Sequence, residues 1–402
     1  MCAARTTSRM RFHVLTTIAV CVANHAAMTG SRLAVSLVGL QLGVSPFGVG
    51  VAVALFAMVP MLGSIWLGRW IDHVGARRPA ITGMSLTCSG LMLPALWLSP
   101  ATLALAALAV GAGYAMLVLA VQREIARAAD PATKGRALSA FAFGTAISSS
   151  LGPLAAGACL ARVGARPTFA LGCAVALFAL LFALLQRGWA RRPEQSAATK
   201  TGHIRVREVL ADKAIRSILL ADLLMAVAWN ANTFIVPIQG SLQGWPADAM
   251  GRMLSVFGAA VLLARALPAA WRRRLSPWAT IRVALASSGT CLAALPLCHR
   301  MPAPLLLEAV MGVGLGGALS SVLALLHEHA PVRHVGEVFG LRLVALNASA
   351  IALPVLLGWM ASVIDLKSAL WTIGLAVFAG LFATLRVGAI APPSTVETHL
   401  PS

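Results

Sequence analysis

The chain has 402 residues, 59% of them hydrophobic and only 11% charged, with a mean hydropathy of +0.83. A water-soluble domain carries about 45–50% apolar and roughly 25% charged residues. The two or three soluble domains that length alone would allow are therefore excluded, because folding would leave too little polar surface to face water. The 32 Lys and Arg against 13 Asp and Glu give a net charge of +19. In a soluble protein that balance would point to nucleic acid, but here the placement of the charges excludes it.

Taken in chain order, Arg5, Arg9 and Arg11 precede an apolar run from Phe12 that imitates a signal peptide. Eleven further apolar runs follow, so it reads as an uncleaved first helix. Twelve spans of about 20 residues each need roughly 240 residues, which leaves enough chain for short loops. Backbone groups in lipid must be satisfied within their own segment, so the spans are helices. The fold class expected is an all-α integral membrane protein of twelve transmembrane helices in two six-helix repeat bundles. The spans are placed at about 13–41, 46–70, 78–98, 102–123, 134–160, 167–187, 214–242, 247–271, 277–298, 304–327, 335–363 and 367–387.

The first span carries Arg32, with His25 seven residues earlier on the same face. A charge in mid-bilayer costs roughly 2.5–3.5 kcal/mol or more, so such residues mark either function or structural pairing. Arg32 lies about 16 Å before the outer end at Gly43, too deep for easy snorkelling. It either serves a cavity or pairs with another helix; His25 either packs by a hydrogen bond or acts in the site. Ser45-Pro46 starts the second span, the serine as cap and the proline in the first turn. After that span comes Gly68-Arg69-Trp70-Ile71-Asp72-His73-Val74-Gly75-Ala76-Arg77-Arg78-Pro79. Gly75 permits a tight turn, Arg77 and Arg78 hold the loop inside, and Asp72 is expected to cap or pair with a neighbouring helix's positive N-terminus.

The fifth span places Gly144, Ser148, Gly152 and Ala156 on one face, which lets another helix approach closely. Pro153 removes one backbone hydrogen bond, and Ser148, Ser149 and Ser150 are expected to take up the freed carbonyls; Gly157 closes the motif. The longest polar stretch, Arg187 to Lys213, halves the chain into 1–187, a linker at 188–213, and 214–402. A shift of 201 residues superposes seven glycine pairs: Gly39/Gly240, Gly43/Gly244, Gly50/Gly251, Gly111/Gly312, Gly113/Gly314, Gly135/Gly336 and Gly157/Gly358. Chance predicts only about 1.5 such pairs, and Pro153/Pro354 falls in the same register. Two six-helix halves in parallel repeat describe one transporter architecture.

The seventh span carries Asp222, Trp229, Asn230 and Asn232. Asp222 lies about 9 Å into the inner half, at a depth similar to that of Arg265 on the eighth span. It reads either as half of an Asp222–Arg265 pair or as a proton or cation site, while Trp229 and Asn230 offer an aromatic wall and hydrogen bonds to a substrate. The tenth span carries Glu308, four residues before Gly312, with no acidic counterpart at its repeat mate Ala107. It is either a proton carrier or, four residues past Pro304, a group that reaches the outer surface.

With the N-terminus inside, the inner side takes 26 of the 32 basic residues, including eight from Arg187 to Arg216, Arg265 and Arg342. This is a strong positive-inside signal and accounts for the charge without nucleic acid. Both termini are thus expected in the cytoplasm. The Ala-, Arg- and Leu-rich, Lys-poor composition points to a bacterial inner membrane. Tryptophans near span ends, among them Trp97, Trp189 and Trp371, suit interfacial belts. The seven cysteines are scattered through apolar runs and frame neither disulfides nor a metal site. His327, Glu328 and His329 do not share a helix face, and no catalytic set or nucleotide loop occurs. No cofactor, no metal and no enzymatic activity are expected.

The loop from Gly68 to Pro79 resembles the loop 2–3 signature of the major facilitator superfamily, and the fifth span resembles the glycine-proline motif of that superfamily's drug:proton antiporters. Ser148 and Ala156 replace glycines of that motif, and in the second half the loop signature retains Arg272-Arg273-Arg274 without its Asp or Gly. The arginine that many family antiporters place before the helix-4 glycine is absent, as is the first-span acid of many drug exporters. The resemblance implies two bundles rocking around a cavity lined mainly by spans 1, 4, 7 and 10. The expectation is a monomeric secondary transporter that exports a small, partly apolar organic molecule, drug-like or siderophore-like, in exchange for protons. The alternatives are a proton symporter importing an organic anion and, from another class, a membrane sensor that moves nothing.

Overall fold

The computed structural model describes residues 2–128, 131–186, 189, 211–267, 275–330 and 335–385. Among the described residues twelve α-helices follow in order: α1 Cys2–Gln41, α2 Pro46–Val74, α3 Arg77–Leu96, α4 Pro100–Ala128, α5 Pro131–Val163, α6 Ala165–Leu185, α7 Lys213–Leu242, α8 Ala247–Ala266, α9 Pro277–Ala294, α10 Ala303–His329, α11 Val335–Val363 and α12 Leu366–Leu385. All twelve are long and apolar enough to cross a membrane, so the protein is an all-α multi-pass membrane protein. The expected linker lies outside the described residues apart from Trp189 and residues 211–213.

The helix ends obey local chemistry. Ser45 caps α2 as expected, its hydroxyl accepting from Gly48 N at 3.2 Å. Ser276 does the same for α9, and the Asp212 carboxylate takes both Ala214 N and Ile215 N at the start of α7. Asp365 accepts from the amide and hydroxyl of Ser368 at the start of α12. These bonds hold its carboxyl below the usual carboxylate range, a consequence of satisfying otherwise orphaned N–H groups. Gly43 and Gly244, a repeat pair, both turn their corners at positive φ, 79° and 68°.

The helices pack in the same order twice. α3 lies on α4 and α6, α1 on α5, α6 and α4, and α2 on α4; α9 lies on α10 and α12, α7 on α11, α12 and α10, and α8 on α10. Across these two groups of six, the principal contacts are α5 with α8 and α2 with α11. The 201-residue register fixes the touching atoms as well. A Cβ on Gly111 would strike the Phe56 carbonyl, and one on Gly312 the Phe257 carbonyl. Gly50 abuts the Pro354 carbonyl as Gly251 abuts that of Pro153. Small residues recur because, without a hydrophobic drive between helices in lipid, close backbone approach supplies the packing energy.

These cross-group contacts sit toward the end of the bundle opposite the chain termini, here the far end. Gly50, Gly157, Gly251, Gly258 and Gly358 all press on the other group, and Phe47 N donates to Ser362 Oγ at 3.2 Å. On α2, α5 and α11 nearer the terminal end, Gly63, Gly68, Gly135 and Gly340 meet no atom of the other group within 4 Å. Among the described residues, the glycine contacts between the two groups thus gather at the far end.

Two local expectations are corrected. The carbonyl freed by Pro153 belongs to Ser149, yet the neighbouring hydroxyls go elsewhere: Ser148 and Ser149 donate to Thr145 O and Ser150 to Ser255 O across the seam. A serine reaches back to residue i−3 or i−4 more readily than to its own turn. Trp189, expected in an interfacial belt, is 3% exposed and stands edge-on to His13 with ring centroids 6.1 Å apart.

Candidate functional site

The glycine-proline helix α5 uses two adjacent faces. Gly144, Ser148, Gly152 and Ala156 lie against α1: a Cβ on Gly144 would meet Val22, and one on Gly30 would stand 2.8 Å from Gly152 O and 3.3 Å from Ala156 Cβ. Pro153, Gly157 and Ser150 form the next face, against Gly251, Ala247 and Ser255 of α8. The expected close approach is thus made within the first group, and the seam between groups is its neighbour.

Polar side chains on α1 and α7 occupy matched positions. Thr29 Oγ1 donates to Ser148 O at 3.1 Å, tying α1 to α5. Its repeat mate Asn230 donates to Ser349 Oγ at 3.3 Å, tying α7 to α11, and Ser349 is the mate of Ser148. Around this shared frame the two groups differ. In the first, His25 Nδ1 lies 2.5 Å from Ser148 Oγ, and its ring lies 4.8 Å from that of Tyr114 on α4. Among the described residues, Arg32 Nε and both polar atoms of the Asn24 side-chain amide are buried with no hydrogen-bond partner.

In the second group Asp222 is 4% exposed, and its partner corrects an expectation. It pairs with Arg342 of α11, not with Arg265: Nε lies 2.8 Å from Oδ2 and Nη2 donates to Oδ1 at 3.3 Å. By sequence Arg342 counted only among the inner-side basic residues; it stands seven residues into α11 and reaches Asp222 of α7. Arg265 stands nearby. Asp222, Met225, Ala226, Trp229, Asn230, Arg265, Leu315, Leu319, Arg342 and Leu346 together line a cavity of about 190 Å3 among α7, α8, α10 and α11. Trp229 forms its aromatic wall, edge-on to Phe257 at 4.8 Å.

Glu308 is buried, 2% exposed, and does not reach the outer surface. It also has a partner that sequence reasoning did not supply: Asn232 Nδ2 donates to Oε2 at 2.7 Å. The pair lies among α7, α9 and α10, beside Cys291, Leu292, Leu295, Leu307 and Met311, inside the second group and apart from the Asp222 cavity. Asp72 is likewise corrected. Its carboxylate pairs with the Arg123 guanidinium near the end of α4 rather than with a helix N-terminus, because a full cation outcompetes a partial helix charge. Gly68 lies within the last two turns of α2, Gly75 at the turn with φ 80°, and Arg77 and Arg78 open α3.

Sequence reasoning missed a further buried acid, Glu124 on α4, which is 1% exposed, lies 3.2 Å from His13 Nε2 and accepts from Arg127 Nη2 at 2.5 Å. Its position one turn from the end of an apolar run disguised it as a loop charge. Ser349 was legible through the repeat, as the mate of Ser148; Arg342 had no such signal. Among the described residues no group of three or more His, Cys, Asp or Glu side chains could hold a metal.

Residues 17–307 match the Major Facilitator Superfamily. No curated protein sequence matches the chain. Similar solved structures include a POT family transporter bound to a thioalcohol-conjugated peptide, with TM-score 0.76, 13% identity, 94% of this chain and 96% of that one. The nucleoside transporter NupG gives TM-score 0.76 and 14% identity over 93% and 99%. A bacterial homologue of the human lysosomal transporter Spinster, inward-facing and unoccupied, gives 0.71 and 14% over 94% and 95%. With a family match over most of its length and the twelve-helix doubled architecture, the chain belongs to the Major Facilitator Superfamily of transporters.

Proposed function

We propose that the protein exports a small, partly apolar organic compound across a bacterial inner membrane in exchange for protons, by alternating access, with both termini cytoplasmic. The observation that carries this reading is the seam: the close glycine contacts between the two groups gather at the far end, opposite the side where 26 of 32 basic residues concentrate. Positive residues stay in the cytoplasm, so a seam closed at the far end is consistent with cargo being taken up from the cytoplasm. The small-residue packing of α5 against both α1 and α8 supports the antiporter resemblance, since one helix both anchors a group and forms the seam.

Glu308 is the carboxyl best placed to carry the proton. Its partner Asn232 is neutral, so gaining or losing a proton there breaks no ion pair, whereas ionised Asp222 is held by Arg342. One observation favours a second reading, proton symport: protonating Asp222 would release Arg342 into the cavity. Inverted membrane vesicles test both. Cargo accumulation driven by an acidic lumen supports export by exchange; accumulation driven by the opposite gradient supports symport; and gradient-independent equilibration removes proton coupling.

A further inference from the structure

Glu308 and Asn232 form a buried acid–amide pair that the doubled architecture does not require. Their repeat mates are Ala107 and Ser31. Ala107 is fully buried and has no polar side-chain atom, and Ser31 satisfies its hydroxyl within α1 by donating to Met28 O at 2.8 Å. The same corner of the first group therefore packs with neither acid nor amide. In the second group a carboxyl is carried to a depth where a polar group without a partner is costly, and Asn232 Nδ2 donates to it at 2.7 Å. Among the described residues no basic side chain forms an ion pair with Glu308. The side chains around the pair are Leu292, Leu295, Leu307, Met311 and Cys291 of α9. Of these only Cys291 can titrate, and its neutral thiol is a weak hydrogen-bonding group.

We propose that Asn232 is the positioning residue that lets Glu308 lose and regain its proton while staying hydrogen-bonded. A primary amide carries donor and acceptor on one flat group. To the ionised carboxylate it turns its N–H, as in this structure. When a proton from water adds to the carboxylate, the new O–H donates to Asn232 Oδ1, and an amide N–H donates to the other carboxyl oxygen. The terminal torsion of asparagine is broad and roughly two-fold, so this exchange of partners needs no movement of α7 or α10. An apolar residue at 232 would leave the ionised form bare, and a basic one would hold it ionised. The amide alone serves both states. The assignment rests on the reading of Glu308 as the proton carrier and adds the residue that makes its two states interchangeable.

The test uses the purified full chain in detergent and dicyclohexylcarbodiimide, an apolar reagent that couples to protonated carboxyl groups. Labelling at Glu308 is read by mass spectrometry. In the wild type it should fall steeply from pH 6 to pH 9, and Glu308→Gln should abolish it at this position. Asn232→Leu removes donor and acceptor at similar volume. At pH 9 it should label about tenfold more than the wild type, the loss of one charge-assisted contact to the ionised form. Asn232→Gln keeps the amide and should stay within about threefold of the wild type. If Asn232→Leu does not fold, Asn232→Ala makes the same comparison. An apolar variant that labels no more than the wild type overturns the assignment, and so does Asn232→Gln labelling as much as the apolar variant. Gradient-driven transport in vesicles is scored separately. The tenfold effect without such transport retires the proton-coupling reading alone. Transport abolished by Glu308→Gln, with labelling indifferent to Asn232→Leu, retires the Asn232 assignment alone. Labelling independent of pH in the wild type overturns both.

Discussion

Gly157 of α5 and Gly251 of α8 face each other so closely that a Cβ on Gly157 would stand 2.9 Å from the Gly251 Cα and 2.6 Å from the Ala247 carbonyl oxygen. The repeat mates Gly358 and Gly50 make the matching approach to the backbones of α2 and α11. Two symmetric glycine contacts therefore close the far end, and any side chain there must push the groups apart.

Gly251→Val should open this seam. Overpacking costs about 1–3 kcal/mol, which shifts the balance away from the far-closed state by the order of tenfold. Ser255→Cys, placed beside Ser150 across the same seam, should then react faster with an impermeant maleimide from the far side. Unchanged labelling would show that the seam does not govern access.

The Asp222–Arg342 pair should matter for folding as well as for cargo. Arg342→Leu alone leaves a carboxylate with a 6% exposed side chain unpartnered, at a cost of about 3–5 kcal/mol, and folded yield should fall. Asp222→Leu combined with Arg342→Leu should restore yield but not transport. A double variant that recovers transport would make the pair purely structural.

At Glu308 two substitutions separate packing from coupling. Glu308→Leu strands the Asn232 amide, itself 1% exposed, and should cost about 1–3 kcal/mol of stability. Glu308→Gln keeps an acceptor for Asn232, so the fold should stand while gradient-driven transport is abolished and exchange at equal pH persists. Full gradient-driven activity in the glutamine variant would transfer the coupling role to Asp222.

Asp72→Asn should slow turnover without harming insertion. The Asp72–Arg123 pair is exposed, 54% at the carboxylate, so its contribution to stability is at most about 1 kcal/mol. Its effect should appear in transport rate at unchanged expression, because it ties α2, a seam helix, to α4 at the terminal end. Equal turnover in wild type and variant would end that role.

Reporter fusions give the topology directly. Fusions after residue 386 and within 190–210 should be active only with a cytoplasmic reporter. An active external reporter at either point would invert the orientation inferred from the basic residues.

The sequence by itself determined the twelve spans, because lipid demands about 20 apolar residues per crossing and the loops between them are short and marked by proline and glycine. It also determined the repeat, because glycine recurs wherever backbones touch: the mates Gly111 and Gly312 meet Phe56 and Phe257, themselves 201 residues apart. The partners of the buried charges were decided only by the tertiary structure. Arg342 was only one of the inner-side basic residues, and Arg265 looked like the natural mate of Asp222 because depth along a helix can be counted from sequence. Rotation about the helix axis cannot be read when nearly every face is apolar, since periodicity then marks no preferred side. Packing against α10 and α11 turned Asp222 to Arg342 and Asn232 to Glu308, 120 and 76 residues apart in the chain. Those rotations, which hydropathy does not encode, set where charge sits in the protein.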